Sequence, residues 1–264
     1  MRKDRLVDLL PVWHLLFLLF FVKSAPVHAE NSFSDTIRLM TYNVRNGLGM
    51  DTLIRYQRVA GIINYSGADV NALQELDSVT YRSNGVDVLT LLARETCLHA
   101  TFGAAIPYQG GKYGVGLLSR ETPLEVKRIP LPGREEKRVL LIAEFQNYMV
   151  GCTHFSTVQE DRMLSVPLIV ECVKEVEKPF FLLGDMNADY DSPEQASLRE
   201  NFIPLNDHLE KTFPSDYPTE CIDYIYLYKN SSVSWQIVNA RVLDEPVASD
   251  HRPVRVEIVL KKKD

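Results

Sequence analysis

FFLLGDMNAD, residues 180–189, is the stretch that decides how this chain reads. Phe180 to Leu183 are four apolar residues in a row behind Pro179, the pattern of a strand buried on both faces. The run passes without a break into Asp185, Asn187 and Asp189. A buried strand that carries a carboxylate and an amide out of its end presents them at a sheet edge, where ligands of α/β proteins gather.

The same construction recurs on either side. Strand patterns are read at Ile37–Val44, Ala68–Leu73, Tyr113–Leu118, Leu124–Ile129, Val139–Phe145, Tyr148–His154, Ile222–Tyr228, Ser234–Leu243 and Val254–Leu260. Helical spacing is read at Leu53–Tyr65 and Val86–Leu98, and again over 160–176. In the last of these Met163, Val166, Val170, Val173 and Val176 share a face and Pro167 predicts a kink. Tyr190 to Glu220 reads as loop, and so does 103–113. Strands and helices interleave without a repeat or a low-complexity linker, so one α/β domain over residues 30–264 is expected.

Composition sets the outer bounds. The chain has 264 residues, of which 45% are hydrophobic and 24% charged, which excludes a disordered protein and allows a sizeable core. Its first 29 residues differ in kind. Early basic residues, the apolar run Leu15–Val22 and the small-x-small triplet Val27-His28-Ala29 predict a signal peptide cleaved before Glu30. The protein is thus expected to be exported, periplasmic or secreted; an uncleaved N-terminal membrane anchor is the alternative, since Lys23 directly follows the run.

The formal charge is -6, and cleavage would remove Arg2, Lys3, Arg5 and Lys23 against Asp4 and Asp8, leaving a more acidic chain. Broad electrostatic capture of nucleic acid or of an anionic membrane is disfavoured. Cys97, Cys152, Cys172 and Cys221 are widely spaced with no CxxC, so a zinc site is not expected and disulfides are allowed but not required. Nothing implies a stable protein partner, and a monomer is expected.

Polar residues collect where apolar strands meet loops: Asn43, Glu75, His154, Asp185, Asn187, Asp223, Asp250 and His251. Glu75 and Asp250 with amide oxygens are hard donors suited to Mg²⁺, or Mn²⁺. Histidines and further aspartates can activate water and donate to a phosphoryl group. No nucleophile elbow and no HExxH helix is present, so metal-assisted attack of water on a phosphoester is the preferred chemistry. Taken singly, each of these residues reads as readily as a turn, a cap or a core group. Their joint placement carries the signal.

TYNVRNG, LQELD, KYGVGLLSR, CTHFS, LLGDMNAD, CIDYIYL and SDHRPV, in this order, resemble the endonuclease/exonuclease/phosphatase superfamily from about residue 36 to 260. The superfamily includes deoxyribonucleases, abasic-site endonucleases, inositol polyphosphate 5-phosphatases and bacterial sphingomyelinases, and this chain looks like a secreted bacterial-type member. The resemblance implies a four-layer α/β sandwich, two packed mixed β-sheets flanked by helices, and a divalent-metal-dependent phosphodiesterase or phosphatase. It implies Glu75 as principal Mg²⁺ ligand, with Asp250 and Asn43 also at the metal and Asn43 at the phosphate. Asp185 and Asn187 would orient or deprotonate the attacking water. His251, held by Asp223, would donate to the phosphate or act as base, and His154 would steady the phosphate or leaving group. Tyr113, Lys112 and Arg162 are read as open between substrate contact and a structural place. The substrate is expected to be a small-molecule, lipid-derived or nucleic-acid phosphoester. A secreted nuclease on DNA or RNA is the alternative, and a non-catalytic binding module on the same scaffold is less favoured.

Overall fold

Phe180 and Leu182 face one core and Phe181 and Leu183 another, so the run is apolar because both faces of its strand are covered. The computed structural model describes residues 34–229 and 233–262. The expected presequence, residues 1–29, lies outside the described residues.

In chain order the elements are β1 (Ser34–Asn43), α1 (Tyr56–Ser66), β2 (Val70–Ser78), α2 (Val88–Thr96), β3 (His99–Tyr108) and β4 (Gly111–Ser119). Then follow β5 (Glu125–Leu131), β6 (Arg138–Glu144), β7 (Met149–His154), α3 (Gln159–Val173), β8 (Phe180–Asp185) and α4 (Pro193–Asn201). The chain closes with β9 (Phe202–Pro204), β10 (Asp223–Tyr228), β11 (Val233–Val242) and β12 (Val254–Lys262). They build two six-stranded sheets, ordered β11-β12-β1-β2-β4-β3 and β5-β6-β7-β8-β10-β9. Each sheet is mixed in the same way. One parallel pair, β1–β2 or β7–β8, sits in the middle with a helix in its crossover, and every other pairing is antiparallel.

The sheets pack face to face. Leu39, Ala72, Leu117, Val256 and Ile258 of the first meet Leu141, Val150, Phe181, Leu183 and Ile225 of the second. On the outer side of the first sheet Met40, Tyr42 and Leu118 lie under Val59 and Ile63 of α1 and Val88, Leu89 and Leu92 of α2. On the outer side of the second, Phe180, Leu182 and Tyr226 lie under Val166, Ile169 and Val173 of α3 and Leu198 of α4. Each fully buried Leu or Phe contributes about 1.5–3 kcal/mol of transfer free energy. The four-layer sandwich expected from the resemblance is what the chain forms.

Register brings the polar strand ends together. His154 and Asp223 both pair with Asp185, from opposite sides of β8. A Cβ on Gly184 would stand 2.2 Å from the Thr153 carbonyl oxygen, so only glycine lets β8 lie this close to β7 at the functional edge.

Three readings differ from the structure. Residues 103–113 are not a loop: most of them form β3 and its hairpin into β4. β3 is an edge strand built on Gly103, Ala104 and Ala105, with several side chains exposed, so it lacks the alternation that marks a strand. The 190–220 stretch contains α4 and β9. The inward face of α3 is Asp161, Arg162, Ser165, Val166, Ile169 and Val173, with Val170 and Val176 packed against the same core, while Met163 is exposed; Pro167 lies inside the helix. All four cysteines are free, Cys152 and Cys221 in the core.

Candidate active site

Glu75 does not stand at a strand end, as its sequence position suggested. β2 continues to Ser78, and between Leu73, paired with Gly116, and Leu76, paired with Gly114, it carries Gln74 and Glu75 against one residue of β4. This bulge turns Glu75 into the left-handed region, φ 59°, and aims it at the sheet edge. Arg45 at φ 44° and Asn187 at φ 48° are in the same conformation. Strained non-glycine residues clustered at one edge are a recognised mark of a functional site.

Glu75, Tyr113, His154, Asp185, Asn187, Asp250 and His251 line one cavity of about 370 Å³. Asn43 and Asp223 stand directly behind it, both fully buried. Every residue singled out as catalytic, substrate-binding or metal-ligating is thus in one place. A larger cavity of about 560 Å³, between α1 and residues 241–245, has none of them in its wall.

Asp185 is the centre of the arrangement. Its Oδ2 accepts from Asn43 Nδ2 at 3.0 Å and lies 3.4 Å from His154 Nε2 and 3.6 Å from His251 Nε2. Its Oδ1 accepts from the Asn187 backbone N–H at 2.9 Å. Asn187 donates its amide N–H to the Phe155 carbonyl at 2.8 Å, which fixes the residue on the cavity wall. Asn43 also donates to Glu75 Oε1 at 3.1 Å, and its own oxygen accepts from the Arg45 N–H at 3.1 Å.

The two histidines have opposite backing. His251 Nδ1 donates to Asp223 Oδ2 at 2.9 Å. Burial alone would push this ring down, but Asp223 and Asp185, with the hydrogen bond donated to Asp223, push it up to about 10. His154 has Arg138 Nη1 at 3.2 Å from its Nδ1. Burial, reinforced by Arg138 and His251 against the pull of Asp185, pushes it down to about 4. Burial also raises the Glu75 carboxyl, helped by Asp250 and Asp185 and opposed by the bond from Asn43. The Tyr113 hydroxyl is raised well above its ordinary range by burial and so remains a donor.

Two groups of side chains could hold a cation. Asp185, Asp223 and His251 offer ligand atoms within 4.8 Å of one another, yet the Asp223–His251 contact already occupies Nδ1 and Oδ2 as a hydrogen bond. Glu75 and Asp250 face the open cavity with hard oxygens, and a cation there would remove the penalty that raises Glu75. Asp250 is held by Arg45 Nε at 3.2 Å.

Other groups in the cavity wall were not read from sequence: Glu136, Arg138, Thr157, Phe213, Glu220 and Ile222. Arg138 opens the apolar run RVLLIA and looks there like the solvated start of a strand. Its only signal is that a charge begins a strand buried along its length. Arg162 is neither exposed nor in the cavity; it binds Glu194 of α4 at 2.5 Å. Lys112 is exposed on β4.

Residues 40–251 match the model of the Endonuclease/Exonuclease/phosphatase family. The uncharacterized protein YbhP of Escherichia coli K12 is 27% identical over 175 residues, covering 60% of this chain and 68% of its own. Among solved structures, an endonuclease/exonuclease/phosphatase from Bacteroides vulgatus superposes with TM-score 0.71 at 20% identity, over 86% of this chain and 99% of that one. A mannosyl-6-phosphatase of Bacteroides thetaiotaomicron gives 0.68 at 18%, over 84% and 99%. D. rerio TDP2 in complex with a single-strand DNA product gives 0.65 at 20%, over 84% and 98%. With its fold, its ordered motifs and a match spanning most of its length, the chain belongs to the endonuclease/exonuclease/phosphatase family, whose members hydrolyse phosphoesters.

Proposed function

We propose that this protein is a divalent-metal-dependent hydrolase that cleaves a phosphoester by attack of water on phosphorus. The observation that carries the reading is the convergence on one cavity of eight polar residues from six separate stretches of the chain, Asn43 to His251, with Asp185 at their centre.

Glu75 and Asp250 are the side chains to hold Mg²⁺, with Asn43 spacing Glu75 from Asp185. The cation, when bound, would neutralise charge developing on the phosphoryl oxygens. Asp185, ringed by donors that fix both of its oxygens, orients the attacking water and takes up its proton. His251 lies between two acceptors, Asp223 and Asp185, and so serves as a two-handed donor rather than as the base. Its Nε2–H and that of His154 both face Asp185 Oδ2, where they would also meet a phosphoryl oxygen bound beside that carboxylate.

Glu136 and Glu220 also line the cavity, and the whole chain is acidic. These charges favour a small or lipid-derived substrate with a neutral leaving group over a polyanion. The presequence adds export to the proposal. The deciding experiment is a panel of phosphomonoesters, phosphodiesters, phospholipids, inositol phosphates, sugar phosphates and single-stranded DNA, each with Mg²⁺ and with chelator. Turnover of none, or turnover in excess chelator, would refute the reading.

A further inference from the structure

We propose that Arg138 is a positioning residue: it occupies Nδ1 of His154, so that this ring meets Asp185 and the cavity as a neutral donor carrying its one proton on Nε2. The role rests on the hydrolase reading above, but its test does not.

A guanidinium can only donate, so the 3.2 Å contact from Arg138 Nη1 makes His154 Nδ1 the acceptor. The proton of a neutral ring must then be on Nε2, 3.4 Å from Asp185 Oδ2. Asp185 by itself would favour a ring with both nitrogens protonated. Burial of the ring opposes that second proton, and the Arg138 cation at Nδ1 opposes it further.

The arginine is held for this task. It is 6% exposed, an uncommon place for a guanidinium, and carboxylates meet it on two sides: Glu136 at 2.8 Å from Nη1 and Glu135 at 3.3 Å from Nη2. Glu135 is itself fixed, accepting from Ser156 Oγ at 2.6 Å and from the Thr157 N–H at 3.0 Å in the loop that follows His154. Arg138 and His154 lie on neighbouring strands, β6 and β7, so the pair is rigid in both partners. One carboxylate, Asp185, therefore faces two imidazoles with different backing, His251 held by Asp223 and His154 by Arg138. A water or phosphoryl oxygen beside Asp185 then meets N–H groups whose directions are set from behind.

The test is nitrogen NMR of the histidine rings in the full chain at pH 7, with the His154 signals assigned by their absence in His154→Gln. The expected wild-type spectrum has an unprotonated Nδ1 and a protonated Nε2 at His154. In Arg138→Met, Nδ1 is expected to gain a proton, and in Arg138→Lys to return to the acceptor state. On a phosphoester that the wild type turns over, Arg138→Met should lower kcat about a hundredfold, the low end for a positioned proton donor, with KM changed less. A protonated His154 Nδ1 in the wild type would overturn the proposal without any activity measurement, and so would one left unprotonated in Arg138→Met. If Arg138→Met does not fold, the wild-type and Arg138→Lys spectra decide alone: a proton on Nδ1 in the wild type overturns it, and an acceptor Nδ1 in both supports it. Absence of hydrolysis with the expected spectra would count against the hydrolase reading only.

Discussion

His251 Nδ1 donates to Asp223 Oδ2 at 2.9 Å across 28 residues of sequence, and Nε2 of the same ring stands 3.6 Å from Asp185 Oδ2. The imidazole is thus suspended between two buried carboxylates, one at the head of β10 and one at the tail of β8, which the strand register sets opposite each other.

A pair of this kind acts as a unit. Asp223→Asn and His251→Ala are each expected to lower turnover by roughly two to four orders of magnitude, the range for a positioned acid or base. The double variant should be little slower than the slower single, because either change removes the charged donor. Steady-state kinetics of all three variants check this. Strictly multiplicative losses would separate the residues and leave Asp223 a structural carboxylate.

Glu75 is expected to act through the cation. Mg²⁺ should raise the melting temperature of the wild type, since a ligand that binds only the folded chain stabilises it by mass action. Glu75→Ala should lose most of that increase and need at least about tenfold more Mg²⁺ for half-maximal turnover, a shift of roughly 1.4 kcal/mol in binding. Differential scanning fluorimetry over a Mg²⁺ series reads the first effect without any substrate. An undiminished response in Glu75→Ala would place the cation elsewhere, with the Asp185, Asp223 and His251 group the next candidate.

The sequence carried the sandwich and the site unequally. FFLL was legible as a two-sided strand because burial on both faces leaves no polar position to interrupt the run. Asp185, Asn187 and Asp223 were legible because they sit where such runs stop or start. The place of Glu75 within β2 was not, since a bulge is a backbone event that LQEL does not announce. Nor was Arg138, whose meaning comes from a neighbouring strand that pairing alone sets beside it. β3 failed to show for a different reason: an edge strand of small residues has little apolar periodicity to read.

His154 should make folding sensitive to acid. Burial holds its pKa near 4 in the folded protein against an ordinary 6.5, so the unfolded chain takes up the proton first as pH falls. The contribution to stability is complete above about pH 6.5 and is lost as pH falls through 4. Urea midpoints at intervals between these pH values are expected to drop more steeply for the wild type than for His154→Gln, which has no such proton to bind. Parallel curves for the two proteins would mean that the ring is already charged in the native state.

Arg162 is expected to govern stability and not chemistry. Its Nε donates to Glu194 Oε1 at 2.5 Å, and Nη1 donates to the carbonyls of Ser156 at 3.1 Å and Thr157 at 2.8 Å, tying α3 to α4 and to the loop after β7. Glu194 has no exposed surface, so truncating its partner leaves a carboxylate buried without a counter-charge. Breaking a buried pair from one side costs about 3–5 kcal/mol. Arg162→Met should therefore lower the urea midpoint by that amount in free energy, and Arg162→Met with Glu194→Gln should recover part of it, because the stranded charge is gone. Turnover per folded molecule, measured below the unfolding transition, should stay within about threefold of the wild type, since no atom of Arg162 lines the cavity. A variant that keeps its stability and loses turnover would instead give Arg162 a direct part at the substrate, through the wall that Thr157 forms.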